Sequence, residues 1–236
     1  MKSRNKVWYG YVVGLHIIIA VILVKSDFVE KVGRRIGIYQ PTEISDYYNT
    51  TTTYHKRMDG SVPEGATIFI GDSITQGLAT AAISEYSVNY GIGSDTTIGV
   101  INRLPFYKSV TTAKSIVIAI GVNDLKRRDN SSIVKNHQTI LNLIPKDKKI
   151  ILSAVLPVDE RVSSVKVSNK RILQLNSALK KMSTNYVNVI FINSSSMLQE
   201  PNGNLKSTFH TGDGVHLNTD GYRVWISQLR KALDNA

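Results

Sequence analysis

There is no cysteine among the 236 residues. Disulfides, thiol catalysis and zinc sites built on thiolates are excluded with it. The chain is also indifferent to redox compartment and can work inside or outside a cell. Acidic side chains are in deficit: 18 Asp and Glu stand against 29 Lys and Arg, for a formal net charge of +11. A charge that large invites a nucleic-acid reading. The basic residues are scattered, however, and no nucleic-acid-binding motif goes with them, so no nucleic-acid partner is expected. The clusters Lys126-Arg127-Arg128 and Lys146-Asp147-Lys148-Lys149 read as solvated faces, with attraction to an anionic surface as the functional alternative. No internal repeat is visible. What is present, 42 % hydrophobic and 20 % charged residues, is the make-up of a globular protein. The length suffices for one α/β domain with a sizeable core.

One long hydrophobic run stands out. Lys2, Arg4 and Lys6 precede eighteen residues, 7–24, that carry no Asp, Glu, Lys or Arg, and Lys25 ends the run. At ~1.5 Å per residue a helix there is about 27 Å long, enough to cross a bilayer. Trp8, Tyr9 and Tyr11 cluster at its basic end, where an interfacial aromatic belt belongs. The basic end should stay cytoplasmic and place the rest of the chain outside. Residues 1–6 are thus expected as a cytoplasmic basic segment, 7–24 as an uncleaved signal anchor, 25–42 as a connector and 43–236 as the functional domain. A cleaved signal peptide, and so a secreted protein, is the rival; the residues after Leu23 offer no small-x-small cleavage site. A buried helix of the domain is the third possibility. His16, near mid-span, reads as a tolerated neutral histidine.

Beyond the connector, apolar strands alternate with amphipathic helices. Strands are expected at 66–70, 86–90, 115–120, 149–156 and 187–192. Helices are expected at 43–58, 75–82, 96–104, 132–143, 168–182 and 219–233, with Ile98, Ile101 and Leu104 spaced for the buried face of the third and Ile172, Leu175, Leu179 and Met182 on one side of the fifth. Continuous apolar strands joined by helices argue for a parallel sheet covered on both faces. The polar, basic stretch 159–170 is expected as a mobile edge of a cleft.

Each strand end carries a polar signature, and a parallel sheet brings its strand ends to one edge. Gly71-Asp72-Ser73 follows the first strand. On that stretch alone, Ser73 reads as a helix cap as readily as a nucleophile. Asn89-Tyr90-Gly91-Ile92-Gly93-Ser94-Asp95-Thr96 follows the second strand and Gly121-Val122-Asn123-Asp124 the third. Asp213-Gly214-Val215-His216-Leu217-Asn218 precedes the last helix. Together they supply what acyl transfer needs. Serine needs a base to take its proton, and His216 can serve near neutral pH. Asp213, three residues away, can hold the histidine's Nδ1–H. The Asn123 amide, the Ser73 backbone N–H and an N–H of the glycine-rich loop are candidate donors to an oxyanion. Half a metal site is the alternative, with His210, Asp213 and His216 as a carboxylate–imidazole cluster.

These four blocks, in this order, resemble those of the SGNH, or GDSL-type, hydrolases. The resemblance covers roughly residues 47–233. It implies a three-layer α/β/α flavodoxin-like fold with, here, a five-stranded parallel sheet. It implies serine ester hydrolysis without metal or cofactor, with Ser73 as nucleophile, His216 as base, Asp213 as its orienter and Asn123 as oxyanion donor. A second-block glycine of many members falls on Ser94, which still offers its backbone N–H; a loop that requires φ > 0 there would strain it. Asp72 and Asp124 are expected to support the site structurally. The expected substrate is a short acyl ester, an O-acetyl group on a carbohydrate or other cell-envelope molecule. A lipase or lysophospholipase acting at the membrane is one alternative. A glycan-binding or scaffold domain without turnover is the other.

Overall fold

The computed structural model describes the backbone of residues 2–25 and 43–235. The chain divides into two units, 1–42 and 43–236. In the first, helix α1 runs Lys2–Lys25. His16 is satisfied within it, its Nδ1–H donating to the Val12 carbonyl at 2.7 Å. Side chains of α1 are described for 8–21, and there Trp8, Tyr9, Ile17 and Ile18 are exposed. Among the described residues no helix is long and apolar enough to cross a membrane. The expected span, 7–24, lies within α1 but reaches past the stretch whose side chains are described, 8–21, at both ends, and most of the expected connector, 26–42, lies outside the described residues.

The second unit is built on five parallel strands: β1 (Thr67–Gly71), β2 (Ser87–Gly91), β3 (Ser115–Ala119), β4 (Lys149–Ser153) and β5 (Val189–Ile192). Their order is β2-β1-β3-β4-β5, with helices flanking the sheet. This is the α/β architecture the alternation of strands and helices predicts. Strand β1 pairs with β2 through Ile68↔Val88 and with β3 through Ile68↔Ile116. All five of its residues are buried. The order reverses direction between β1 and β3, so a crevice opens beyond their carboxyl ends, where ligands bind in such sheets. Ser73 lies just past β1, and Asn123 just past β3.

Side chains end the elements where the sequence is silent. Helix α2 (Asp46–Asp59) is capped by Ser45. Its Tyr48 hydroxyl donates to the Gly99 carbonyl at 2.7 Å, tying α2 to the domain. The helix expected at 75–82 is not one helix. It is a single turn, α3 (Ser73–Gln76), and a separate 3₁₀ turn, Thr80–Ala82. The Asn89 amide causes the break: it donates to the carbonyls of Thr75 and Leu78 at 2.7 and 3.0 Å, taking acceptors that a longer helix would use. The strand expected at 149–156 stops at Ser153 because the Asn176 side chain, not a neighbouring strand, bonds both the N–H and the C=O of Val155. The strand expected from 187 starts at Val189; Val187 is fully exposed.

The remaining long helices fall close to their expected places. Helix α4 (Thr97–Arg103) is capped by Thr96, α5 (Asn130–Leu143) by Asp129, α6 (Asn169–Ser183) by Ser168 and α7 (Thr219–Asp234) by Asn218. On α6 the expected inward row Ile172, Leu175, Leu179 and Met182 is buried. On α4 the buried face is rotated from the expected Ile98, Ile101 and Leu104. Val100, Arg103 and Leu104 are buried, and Ile98 and Ile101 are only half-buried. The expected mobile stretch 159–170 is irregular but held. Asp159 N–H donates to the Gly214 carbonyl at 2.8 Å, and the Asn169 side chain bonds both backbone groups of Val158.

Candidate active site

Two loops meet at Ser73. The first is the tight exit from β1. A Cβ on Gly71 would lie 2.2 Å from the Ala119 carbonyl of β3 and 2.1 Å from Thr75 Oγ1, so only glycine lets the chain turn there. Asp72, not Ser73, caps α3: its carboxylate accepts from the Ile74 N–H at 3.0 Å. The Ser73 hydroxyl is thereby free of the capping role that serine often fills. It lies 2.8 Å from His216 Nε2. Tyr222 of α7 donates to the Ile74 carbonyl at 2.7 Å and braces α3 from the side of the second loop.

That second loop carries Asp213 and His216. His216 Nδ1 is hydrogen-bonded to Asp213 Oδ2, and Asp213 Oδ1 accepts from the backbone N–H groups of Val215 and His216, each at 2.9 Å. Burial raises the pKa of the Asp213 carboxyl, but the His216 ring and the two backbone donors outweigh it and draw it down to about 2. The carboxylate is therefore ionised at any physiological pH. It assigns the imidazole proton to Nδ1 and leaves Nε2 as an acceptor facing Ser73. The site is open: the His216 and Asp213 side chains are 44 % and 42 % exposed.

Ser94 is the one non-glycine residue with positive φ among the described residues, at 63°. The loop does require the left-handed region that its serine tolerates poorly. Asn123 lies beside that loop, its amide Nδ2 donating to the Asp95 carbonyl at 3.0 Å. The second amide hydrogen remains for another acceptor.

Beneath these loops lies a buried charge network that composition and motif do not reveal. Arg103 is fully buried on α4. Its Nε donates to Asp95 Oδ2 at 2.9 Å, one amino group to the Tyr107 hydroxyl at 3.2 Å and the other to the Gly71 carbonyl at 3.1 Å. One guanidinium thus ties the residue after Ser94 to the residue two before Ser73. Asp124 receives the N–H and hydroxyl of Thr97, at 3.0 and 2.5 Å, and pairs with Arg128. Arg128 also pairs with Glu43, so it is not part of a solvated face as the Lys126-Arg127-Arg128 cluster suggests. Burial, helped by the charges of Asp95 and Asp124, pushes the Asp72 carboxyl up to about 7. The supporting role expected of Asp72 and Asp124 is the role their contacts give them.

The metal alternative does not survive the geometry. His210 is turned away from His216: its Nδ1 accepts from the N–H groups of Gly212 and Gly214, and its Nε2 faces Asp159. Among the described residues no group of three or more His, Asp or Glu gathers as a metal cluster.

Comparison with known proteins agrees with this architecture. Residues 69–224 match the model of the GDSL-like lipase/acylhydrolase family. A Streptococcus pneumonia protein provisionally described as a platelet activating factor superposes with a TM-score of 0.74 at 27 % identity, over 79 % of this chain and 92 % of its own. A carbohydrate esterase of family 3 from Talaromyces cellulolyticus gives 0.59 at 17 % identity, over 72 % and 97 %. A mutant acetyl-xylooligosaccharide esterase from Geobacillus Stearmophilus gives 0.55 at 18 %, over 70 % and 94 %. No curated protein matches the chain. The chain belongs to the GDSL-like lipase/acylhydrolase family and is a hydrolase.

Proposed function

We propose that the protein is a serine esterase acting through Ser73, His216 and Asp213. The observation that carries this reading is the unbroken chain from Ser73 Oγ through both ring nitrogens of His216 to Asp213. His216 Nε2 takes the hydroxyl proton as Oγ bonds to the ester carbonyl carbon. The negative charge that develops on the carbonyl oxygen is met by Asn123 Nδ2 and the backbone N–H groups of Ser73 and Ser94. His216 returns the proton to the departing alcohol. A water molecule, deprotonated by the same nitrogen, then releases the acid from Ser73. Asp213 holds the ring and stays ionised throughout.

The acyl group in this reading is short and the alcohol is a carbohydrate or related envelope molecule. Three features support it. The dyad is nearly half exposed, which suits an ester borne on a bulky polymer. Tyr47, 51 % exposed, packs at the loop that holds Ser94, with its hydroxyl accepting from the Gln76 amide, so an aromatic face and an amide flank the site. Two of the similar folds belong to proteins described as acetyl-xylooligosaccharide and carbohydrate esterases. The proposal includes an uncleaved anchor at 7–24 that places the domain outside the cytoplasm. It rests on the uncharged run, its basic flank and the continuity of α1. Hydrolysis of activated esters from acetyl to dodecanoyl tests the substrate class. Turnover that peaks at acetyl or propionyl supports it, and a maximum at long chains replaces it with the lipase reading.

A further inference from the structure

His210 lies outside the proposed triad, three residues before Asp213, and its imidazole is buried. Both ring nitrogens are engaged. Nδ1 accepts from Gly212 N–H at 3.0 Å and from Gly214 N–H at 3.2 Å. A nitrogen that receives two donors carries no proton, so the proton sits on Nε2 and is given to Asp159 Oδ2 at 3.3 Å. Asp159 is buried and anchored in turn. Arg161 grips both of its oxygens, at 2.7 and 2.9 Å, and reaches on to Glu200 at 3.0 Å. The backbone is tied as well: Asp159 N–H donates to the Gly214 carbonyl, and Thr211 N–H to the His216 carbonyl.

The two glycines caught by Nδ1 flank Asp213, and both hold positive φ, 100° at Gly212 and 77° at Gly214. The loop has no helix or strand of its own across Asp213 to fix its course. One unprotonated nitrogen gathers the N–H groups on either side of the aspartate and adds to the hold of the Thr211–His216 backbone bond and of the Asp213 carboxylate on Val215 and His216. We propose that His210 is a positioning residue, an inner imidazole whose Nδ1 folds the 212–214 turn and thereby aims the Asp213 carboxylate at His216. The inference rests on the triad reading given above.

The test uses the full chain and a fluorophosphonate probe that labels an activated serine, together with ester turnover. Asparagine places its amide oxygen where Nδ1 stands, whereas glutamine reaches toward Asp159 and offers nothing at the Nδ1 position. His210→Gln is expected to lose roughly 100-fold in kcat and in the labelling rate of Ser73, with KM nearly unchanged, the cost of a catalytic group displaced by about 1 Å. His210→Asn is expected to stay within about fivefold of the parent, the loss of one ordinary hydrogen bond. Equal losses in both variants, or no loss in either, would overturn the proposal. If His210→Gln does not fold, the ring nitrogens of the unaltered protein decide: a 15N spectrum showing the Nε2–H tautomer supports the clamp, and a proton on Nδ1 overturns it. Unaltered protein that shows no Ser73-dependent labelling counts against the triad instead, and the ring spectrum still reads the clamp independently.

Discussion

Ser94 and Asn123 are the two residues of the proposed oxyanion site whose contributions separate most clearly, one through its backbone and one through its side chain. With φ at 63°, Ser94 occupies a region that costs a non-glycine residue about 1–2 kcal/mol. Glycine removes that strain but adds roughly 0.5–1 kcal/mol of chain entropy to be lost on folding. Ser94→Gly should therefore raise Tm by a few degrees at most and leave turnover within about twofold, because the backbone N–H is retained. Thermal melts and an ester assay check both parts. Asn123 differs, since the proposed reaction uses its side-chain amide. Asn123→Ala should lower kcat by roughly 100- to 1000-fold, the usual loss for one oxyanion donor, while KM barely changes. A kcat within tenfold of the parent would remove Asn123 from the oxyanion site. Ser73 and Asn123 could be picked out from the sequence because each sits in a short polar block after an apolar strand, and Asp213 and His216 because of their spacing just before the last helix; Ser94 is singled out by the family resemblance alone. The division of labour between neighbours could not be picked out. That Asp72 caps α3 and releases Ser73 depends on the backbone at the end of β1, and a string of residues does not carry that geometry.

At the scale of elements, the site is a meeting of loops, and Arg103 is the strut between two of them. Its three bonds to Asp95, Tyr107 and Gly71 make it part of the core although it is charged. Arg103→Met should destabilise the fold by about 3–5 kcal/mol, because Asp95 is left buried and unpaired. Adding Asp95→Asn should recover part of that loss, and a double-mutant cycle by urea unfolding measures it. Fully additive losses would show that the pair does not act as a unit. Arg103 escapes sequence reading because arginine is rarely buried completely, and a helix periodicity keyed to apolar residues sets the inward face one position away. The strands were legible from their apolar runs, and the long helices from their spacing and caps. The helix expected at 75–82 was not, because it is ended by the side chain of Asn89, a residue from another strand.

For the molecule as a whole, burial of ionisable side chains ties stability to pH, with carboxyls such as Asp72 raised and His55 lowered. Asp72, pushed up to about 7 by burial, binds its proton more tightly folded than unfolded, where a value near 4 applies. Its contribution is complete below about pH 4 and is lost as the pH rises through 7. Asp213, drawn down to about 2, works in the opposite sense, but its contribution is already complete above about pH 4. Between pH 5 and 8 Asp95, raised to about 6 by burial, adds to the Asp72 effect, and His55, lowered to about 4 by burial, opposes it up to about pH 6.5. Above about pH 6.5 Tm should therefore fall, and Asp72→Asn, which can still accept from Ile74, should flatten the decline. An unchanged slope in the variant would locate the pH dependence elsewhere. A parallel sheet carries its strand ends to one edge, and this was legible in the sequence; the order β2-β1-β3-β4-β5, which sets β1 between β2 and β3, was not. Every step of the proposed reaction passes through Ser73. The most direct measurement is the hydrolysis of an acetyl ester by the full chain and by Ser73→Ala, with mass spectrometry of the protein quenched during turnover. An acetyl group is expected on Ser73 in the parent, with turnover falling to near the uncatalysed rate in the variant. Substantial turnover by Ser73→Ala, or acetylation at another residue, would contradict the proposed reaction.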